Sequence, residues 1–189
     1  MECCCTDCYQ HIEWASVMGG PNVPIVPTLS YWDNDIHVIR GEEHLKVVLL
    51  RDNGRSRRTT ATCCYSTLMI DHPAYSGVMF MLFEEACRVQ WDDPDVPPTK
   101  TRPAESRIYL KDFETPRGEL PEFGRDPARV HQTCCPEYIK RWNSMSSSTL
   151  ENPPGEKIQS LFERIPVKTL GLEEGKRILS SSDCPTELT

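Results

Sequence analysis

Three cysteines near the amino terminus have the residue type and the spacing of a metal site. The chain begins Met-Glu-Cys-Cys-Cys-Thr-Asp-Cys, which places Cys3, Cys5 and Cys8 in a C-x-C-x-x-C pattern. In an extended segment alternate side chains share a face, so Cys3 and Cys5 point the same way and Cys4 points the other way. A turn from Cys5 to Cys8 brings a third sulfur beside them. Because thiolate is a common zinc ligand, the pattern predicts a zinc ion held by these three sulfurs.

The fourth position of a tetrahedral zinc ion decides which kind of site this is. A catalytic site keeps that position for water or substrate, whereas a structural site closes it with a protein ligand. Cys63 and Cys64 lie on a predicted hairpin, and either thiol is a candidate to close the tetrahedron; Cys64 is the additional candidate ligand beside the three clustered cysteines. His11 follows Cys8 by three residues and is a candidate for contact with the metal or its bound water. The spacing leaves an open and a closed site as alternatives.

The composition predicts a soluble, mildly acidic protein. The 189 residues carry a formal net charge of -7, which gives no support for nucleic-acid binding. A run of about 20 apolar residues, which a membrane helix requires, is absent, and the start Met-Glu-Cys lacks the basic and apolar regions of a signal peptide. We therefore expect an intracellular, cytoplasmic protein without a membrane or nucleic-acid partner; the sequence carries no signal of oligomeric state. In a reducing compartment its 10 cysteines favour metal ligation over disulfides.

The local patterns predict mostly β structure followed by helices. Asn53-Gly54 lies between two apolar or β-branched runs, which is a strong hairpin signal. Alternating or continuous apolar residues predict strands, and apolar residues at i, i+3, i+4 and i+7 predict an amphipathic helix near the C-terminus. The predicted strands cover 35–40, 45–50, 59–70 and 77–83, and the predicted helices cover 136–144 and 155–165.

These elements divide the chain into three predicted parts. The first is a zinc-binding β domain over 1–90, and the second is an irregular connection over 91–134 that is rich in proline. The third is a helical extension over 135–189 that packs on the sheet and ends in a mobile tail. The fold class that we expect is therefore mainly β with a few C-terminal helices, and α+β overall.

The order of the motifs resembles the glutathione-dependent formaldehyde-activating enzyme family, which includes centromere protein V. It is most similar to an uncharacterised branch that has a C-x-C-x-x-C-Q start and a C-C-x-T-P motif. The resemblance covers roughly Cys3 to Phe83. It is carried by the three-cysteine cluster, Gly19-Gly20, Gly41 to Leu45, Arg57 or Arg58, and the run from Cys63-Cys64 to Ser66-Thr67-Leu68.

The resemblance implies a fold, a cofactor and a reaction. The family has small stacked antiparallel sheets around zinc, and Cys3, Cys5 and Cys8 match its site that receives a glutathione adduct. The implied activity is that of a carbon–sulfur lyase, with glutathione or another small thiol as partner and thiol adducts of small aldehydes as substrates. The alternative is a non-catalytic, zinc-stabilised β module, or a degenerate family member with a binding role.

The family's second, structural zinc site has little counterpart in this sequence. Its C-x-C would precede the cluster, where only Met1 and Glu2 stand, and Ala61 occupies the first cysteine position of its later C-x-x-C. Cys64 is the one remaining match to that site. The resemblance therefore implies either an N-terminally truncated chain or a branch that has lost its structural zinc.

Overall fold

The computed structural model describes residues 1–87, 103–114, 117–145, 155–183 and 188. Within these residues the chain forms three helices: α1 (Thr6–Val17), α2 (Pro136–Met145) and α3 (Ile158–Arg164). The strands, in chain order, are β1 (Glu2–Cys3), β2 (Leu29–Asp33), β3 (Leu45–Leu49), β4 (Arg57–Ala61), β5 (Thr67–Asp71), β6 (Met79–Phe83), β7 (Arg107–Ile108) and β8 (Val167–Thr169). None of the helices in the described residues is long and apolar enough to cross a membrane.

Two sheets organise the strands. The larger has six strands in the order β2-β6-β5-β4-β3-β8, with antiparallel neighbours except for the parallel pair β3 and β8. The smaller consists of β1 and β7, which run parallel. The expectation of a mostly β chain of the α+β class is confirmed. The sheets differ from the expected small antiparallel ones, because most strands join one large sheet and parallel pairs occur at its edge and between β1 and β7.

The hairpin predicted around Asn53-Gly54 forms, but its second arm is shorter than the sequence indicated. Strands β3 and β4 pair antiparallel, with Val47 opposite Thr59. The expected arm over 59–70 is divided into β4 and β5 by a turn, in which Tyr65 adopts a φ of 50°. Cys63 and Cys64 therefore lie exposed in this turn and not on a strand.

The strand predicted over 35–40 does not form. Ile36 makes only an isolated bridge to Glu156, and Ile36 and Val38 pack, half-buried, against an apolar cluster. The strand forms earlier, at β2, which pairs along its whole length with β6. The alternation of apolar residues over 35–40 did not correspond to a strand, because Ile36 and Val38 are half-buried by side-chain packing and do not belong to a hydrogen-bonded β-ladder.

Helices cover both faces of the large sheet. Val47 and Val48 are adjacent in β3 and so point to opposite faces. Val47 packs in a cluster with Ile158 and Leu161 of α3, whereas Val48 packs in a cluster with Trp14 of α1. The predicted C-terminal helix therefore packs on the sheet as expected, and α1 covers the other face.

The C-terminal region also contributes to the sheet itself. Strand β8 follows α3 and pairs with β3, with Val47 opposite Val167. The three-part division of the chain stays a prediction. Residues 91–102 and 115–116 of the predicted connection, and 184–187 and 189 of the predicted mobile tail, lie outside the described residues.

Candidate metal centre

The backbone around Cys3 is held from two sides. The amide N–H of Cys3 donates to the carbonyl oxygen of Pro27 at 2.9 Å, and that of Cys4 donates to the carbonyl oxygen of Ile108 at 3.0 Å. The second bond belongs to the parallel pairing of β1 with β7, in which Cys3 lies opposite Ile108. A segment that begins at the N-terminus thus acquires a fixed extended conformation, which sets the direction of the Cys3 side chain.

Cys5 and Cys8 occupy the first turn of α1. Cys5 is the N-cap residue, in an extended conformation, and its Sγ accepts a hydrogen bond from the N–H of Cys8 at 3.4 Å. A side chain that accepts from the third helical residue is the usual N-cap arrangement, here with sulfur as the acceptor. The partial positive charge of the helix N-terminus favours the thiolate form of Cys8. The hydrogen bond with Cys3 lowers the pKa of Cys5, but the hydrogen bond with Cys8 and burial raise it overall.

The three sulfurs lie at distances that suit one metal ion. The ligand atoms of Cys3, Cys5 and Cys8 all lie within 4.8 Å of one another, and the Sγ atoms of Cys3 and Cys8 are 3.9 Å apart. Tetrahedral zinc with Zn–S bonds of about 2.3 Å requires sulfurs separated by about 3.8 Å. The extended β1 segment and the helix turn therefore bring together the sulfurs that the sequence pattern grouped.

The electrostatics of the cluster favour one thiolate even without a metal. Hydrogen bonds from the thiols of Cys3 and Cys5 lower the pKa of Cys8 well below its ordinary value, and the nearby charge of Arg58 lowers it further. The same hydrogen bonds, together with burial, raise the pKa of Cys3. A bound cation would replace the shared protons and allow all three thiols to ionise.

Arg58 is a buried cation, and no carboxylate of the described residues forms an ion pair with it. Its side chain is 2% exposed and lines the same cavity as the three cysteines. Its Nη1 donates to the carbonyl oxygen of Ser56 at 3.4 Å, and its Nε is buried without a hydrogen-bond partner among the described residues. Because an unpaired buried charge destabilises the fold, the guanidinium of Arg58 requires a negative group nearby. A zinc ion with three thiolates has a net charge of -1 and fits that requirement.

A cavity of about 460 Å³ adjoins the cluster. This volume lies within the range of about 300–1,000 Å³ that is common for small-molecule sites. Its apolar wall comes from the core and from α2, through Leu29, Ile70, Tyr75, Met81, Ile108 and Trp142. Its polar lining includes Asp7, His72, Tyr109, Lys111, Asp112 and Cys134. An apolar wall with a few polar groups suits a small organic ligand.

His72 brings a neutral imidazole to this cavity. Its Nδ1 accepts a hydrogen bond from the N–H of Ala74 at 3.0 Å, so the ring proton of the neutral form is on Nε2. Burial, followed by the charges of Arg55 and Arg58, lowers the pKa of His72. The ring therefore offers an N–H donor at neutral pH. No spacing in the sequence pointed to this histidine, which enters the cavity from the loop after β5.

Tyr109 is a strained residue in the cavity wall. Its φ is 56°, a left-handed conformation that non-glycine residues rarely adopt. Burial raises the pKa of Tyr109, and the charges of Cys134, Cys5 and Cys3 raise it further, so the hydroxyl stays protonated. Strain of this kind is often found at functional sites. No residue pattern indicated this strain, because it lies in the backbone conformation.

Two predicted neighbours of the metal lie elsewhere. Cys64 is exposed, and its Sγ is 3.2 Å from the hydroxyl of Ser66, so it does not join the three clustered sulfurs. His11 is fully buried, where its Nε2 lies 3.0 Å from the hydroxyl of Thr60. Among the described residues, the cluster therefore has three protein ligands and no fourth.

The arrangement can hold one soft or borderline metal ion beside a cavity for a small ligand. Three buried or half-buried sulfurs supply the ligands, and a buried arginine supplies the balancing charge. No group of the described residues occupies the fourth coordination position, which is therefore open to water or substrate. Comparisons with protein-family models, with curated proteins and with solved structures found no match for this chain.

Proposed function

We propose that Cys3, Cys5 and Cys8 bind one zinc ion with an open fourth position, and that the protein acts on thiol adducts of small aldehydes. The observation that carries this proposal is the position of three sulfurs, all within 4.8 Å of one another, in the wall of a cavity of about 460 Å³. A structural site would need a fourth ligand, and no His, Cys, Asp or Glu of the described residues joins the group.

The proposed reaction is the reversible joining of a thiol and an aldehyde, as the family resemblance implies. When bound, zinc would supply Lewis acidity and keep a substrate thiol in its thiolate form at neutral pH. In the direction of adduct formation, the thiolate sulfur attacks the carbonyl carbon, a C–S bond forms, and the carbonyl oxygen gains the proton that the thiol has lost. The reverse reaction breaks the C–S bond and returns that proton.

The residues of the cavity have separate parts in this proposal. The apolar wall formed by Tyr75, Met81 and Trp142 excludes water from the adduct. His72 donates a hydrogen bond from Nε2 to the oxygen on which charge develops. Lys111 supplies positive charge for a carboxylate of glutathione or another small acidic thiol.

A second candidate is a non-catalytic module that zinc stabilises. It is favoured by one observation, which is that Cys3 and Cys8 belong to the same buried cluster as Leu29 and Ile108. An ion at this place would tie β1 and α1 to the core, and such ions contribute directly to folding. Both candidates need the metal, but only the first needs the cavity and the open position.

Exchange spectroscopy by NMR tests the enzymatic proposal. Formaldehyde and glutathione exchange with S-hydroxymethylglutathione in buffer, and the wild-type protein loaded with zinc is expected to accelerate this exchange. The Cys8→Ser variant is expected to lose the acceleration, while Cys64→Ser, which changes an exposed thiol outside the cluster, keeps it. Exchange at the buffer rate with zinc-loaded wild-type protein would remove the proposal for this substrate and leave the module.

A further inference from the structure

A second group of metal-ligating side chains lies at the start of α2. The ligand atoms of His131, Cys135 and Glu137 all lie within 4.8 Å of one another. The set offers one nitrogen, one sulfur and one oxygen, which are the three ligand types that zinc accepts. No motif spacing in the sequence indicated it, because the two-residue interval from Cys135 to Glu137 and the four-residue interval from His131 to Cys135 belong to no familiar signature.

The fold holds this group in place. The N–H of His131 donates to the carbonyl oxygen of Arg107 in β7 at 2.8 Å, and its carbonyl oxygen accepts from the N–H of Leu110 at 3.1 Å. Cys135 directly precedes α2, where its carbonyl oxygen accepts from the N–H of Tyr138 at 3.1 Å. Glu137 is the second residue of the helix. The three ligands thus come from a segment bound to β7 and from a helix start, both of which are ordered by backbone hydrogen bonds.

An independent observation points to a missing ligand at this group. The Nε2 atom of His131 is buried and has no hydrogen-bond partner among the described residues. A buried polar nitrogen without a partner is uncommon, because it loses its hydrogen bonds to water and gains none in return. The thiol of Cys135 is 1% exposed and its Sγ lies 2.8 Å from Oε2 of Glu137, whose helix position is exposed. A cation bound through this nitrogen would give it a partner, and the exposed Glu137 leaves the site accessible from solvent.

We propose that His131, Cys135 and Glu137 form a second zinc site, with a water molecule as the fourth ligand. The mixed nitrogen, sulfur and oxygen set suits a borderline ion such as Zn²⁺ better than Ca²⁺ or Mg²⁺, which take oxygen ligands. The site does not depend on the proposed reaction, because none of its ligands lines the cavity beside Cys8.

This second ion would brace one wall of that cavity. Helix α2 carries Trp142, whose ring packs on Tyr75 with centroids 5.3 Å apart, and both residues line the cavity. An ion shared by His131 and Cys135 links the start of α2 to the segment that pairs with β7, and β7 in turn pairs with β1, which carries Cys3. The proposed role is therefore structural support of the cavity wall that contains Tyr75 and Trp142.

Cadmium NMR on the full chain tests the second site. Protein loaded with ¹¹³Cd²⁺ is expected to show two resonances, because the ¹¹³Cd chemical shift differs between a site of three sulfurs and a site of one nitrogen, one sulfur and one oxygen. His131→Gln is expected to remove one resonance, and Cys8→Ser is expected to remove the other. Zinc analysis by mass spectrometry is expected to show that each variant has lost one of the two zinc equivalents. His44→Gln, which changes an exposed histidine, is expected to keep both resonances.

The outcomes separate the two sites. Retention of every wild-type resonance in His131→Gln overturns the proposal, and so does a single wild-type resonance that only Cys8→Ser removes. A single resonance that His131→Gln removes supports the second site and counts against the first. If circular dichroism shows that His131→Gln is unfolded, the same cadmium spectra are recorded for Glu137→Gln. This variant is expected to fold, because Glu137 is exposed and glutamine has the same size.

Discussion

Replacing Arg58 by methionine tests the charge balance of the three-sulfur cluster. Arg58 is 2% exposed, and no carboxylate among the described residues lies within ion-pair distance of it. Its nearby charge is one of the causes that lower the pKa of Cys8. Methionine has a similar length and no charge, so Arg58→Met removes the cation while it keeps most of the packing.

The expected loss of zinc affinity follows from Coulomb's law. Two unit charges about 8 Å apart interact by about 2 kcal/mol at an effective dielectric constant of about 20. Arg58 and the sulfurs line one cavity, so a separation of this order is appropriate. A difference of about 2 kcal/mol corresponds to a zinc Kd that is about 30-fold higher, because about 1.4 kcal/mol is a factor of ten. We expect this increase at the cluster in Arg58→Met.

A competition titration against a coloured zinc chelator at neutral pH measures this effect. Arg57→Met is the matched control, because Arg57 is the adjacent residue of β4 and its side chain is exposed. Arg58→Lys keeps the charge and is expected to recover most of the affinity. Equal zinc Kd values for Arg58→Met and Arg57→Met would refute the charge balance that we describe.

Three further changes test the packing around the site by urea titration. Burial lowers the pKa of His11, so below about pH 6.5 this histidine takes up a proton in the unfolded chain but not in the folded one. The wild-type protein therefore loses stability on acidification. In His11→Gln the slope of unfolding free energy between about pH 6.5 and 5 is expected to fall by up to about 1.4 kcal/mol per pH unit. Arg177→Met leaves the carboxylate of Glu13, which is 4% exposed, without its ion-pair partner, and is expected to cost about 3 kcal/mol. Trp142→Ala removes a buried ring of the cavity wall and is expected to cost about 4 kcal/mol.

Exposed residues provide the controls for these changes. His44→Gln, Lys176→Met and Ile139→Ala alter the same residue classes at exposed positions and are expected to change the unfolding free energy by no more than about 0.5 kcal/mol. An unchanged pH slope in His11→Gln would contradict the neutral buried state of His11. Losses for Arg177→Met or Trp142→Ala as small as those of the controls would contradict the buried ion pair or the packed cavity wall.

The sequence was sufficient to group the three sulfurs because they are close in the chain. Cys5 and Cys8 fall in one helical turn, and Cys3 precedes them in an extended segment, so local geometry decides their relative positions. The hairpin of β3 and β4 and the helices α2 and α3 were also predictable, since each is encoded by local periodicity and turn residues. These are short-range features.

The cavity was not predictable, because its walls come from distant parts of the chain. The parallel pairing of β1 with β7 joins Glu2 to Arg107 and brings Tyr109 beside the cluster. Cys134 reaches the same cavity from the segment before α2. Parallel pairing of two-residue strands leaves no pattern in the sequence, since neither strand is long enough to show a period.

The placement of Cys64 illustrates the limit of strand assignment. The apolar and β-branched run over 59–70 predicts one continuous arm, on which Cys64 would face a fixed direction. The left-handed conformation of Tyr65 instead makes a turn between β4 and β5 and leaves Cys64 exposed. No glycine or proline lies in this turn, so its residues carry no ordinary turn signal.

Zinc binding by the three-sulfur cluster is measured by the zinc content of Cys8→Ser, wild type and Cys64→Ser after dialysis under reducing conditions. We expect Cys8→Ser to lose one equivalent of zinc relative to wild type, because the Sγ of Cys8 lies 3.9 Å from that of Cys3 in the cluster. We expect Cys64→Ser to keep the wild-type content. Equal zinc in wild type and folded Cys8→Ser, as measured by mass spectrometry of the metal, would show that the cluster does not bind the ion.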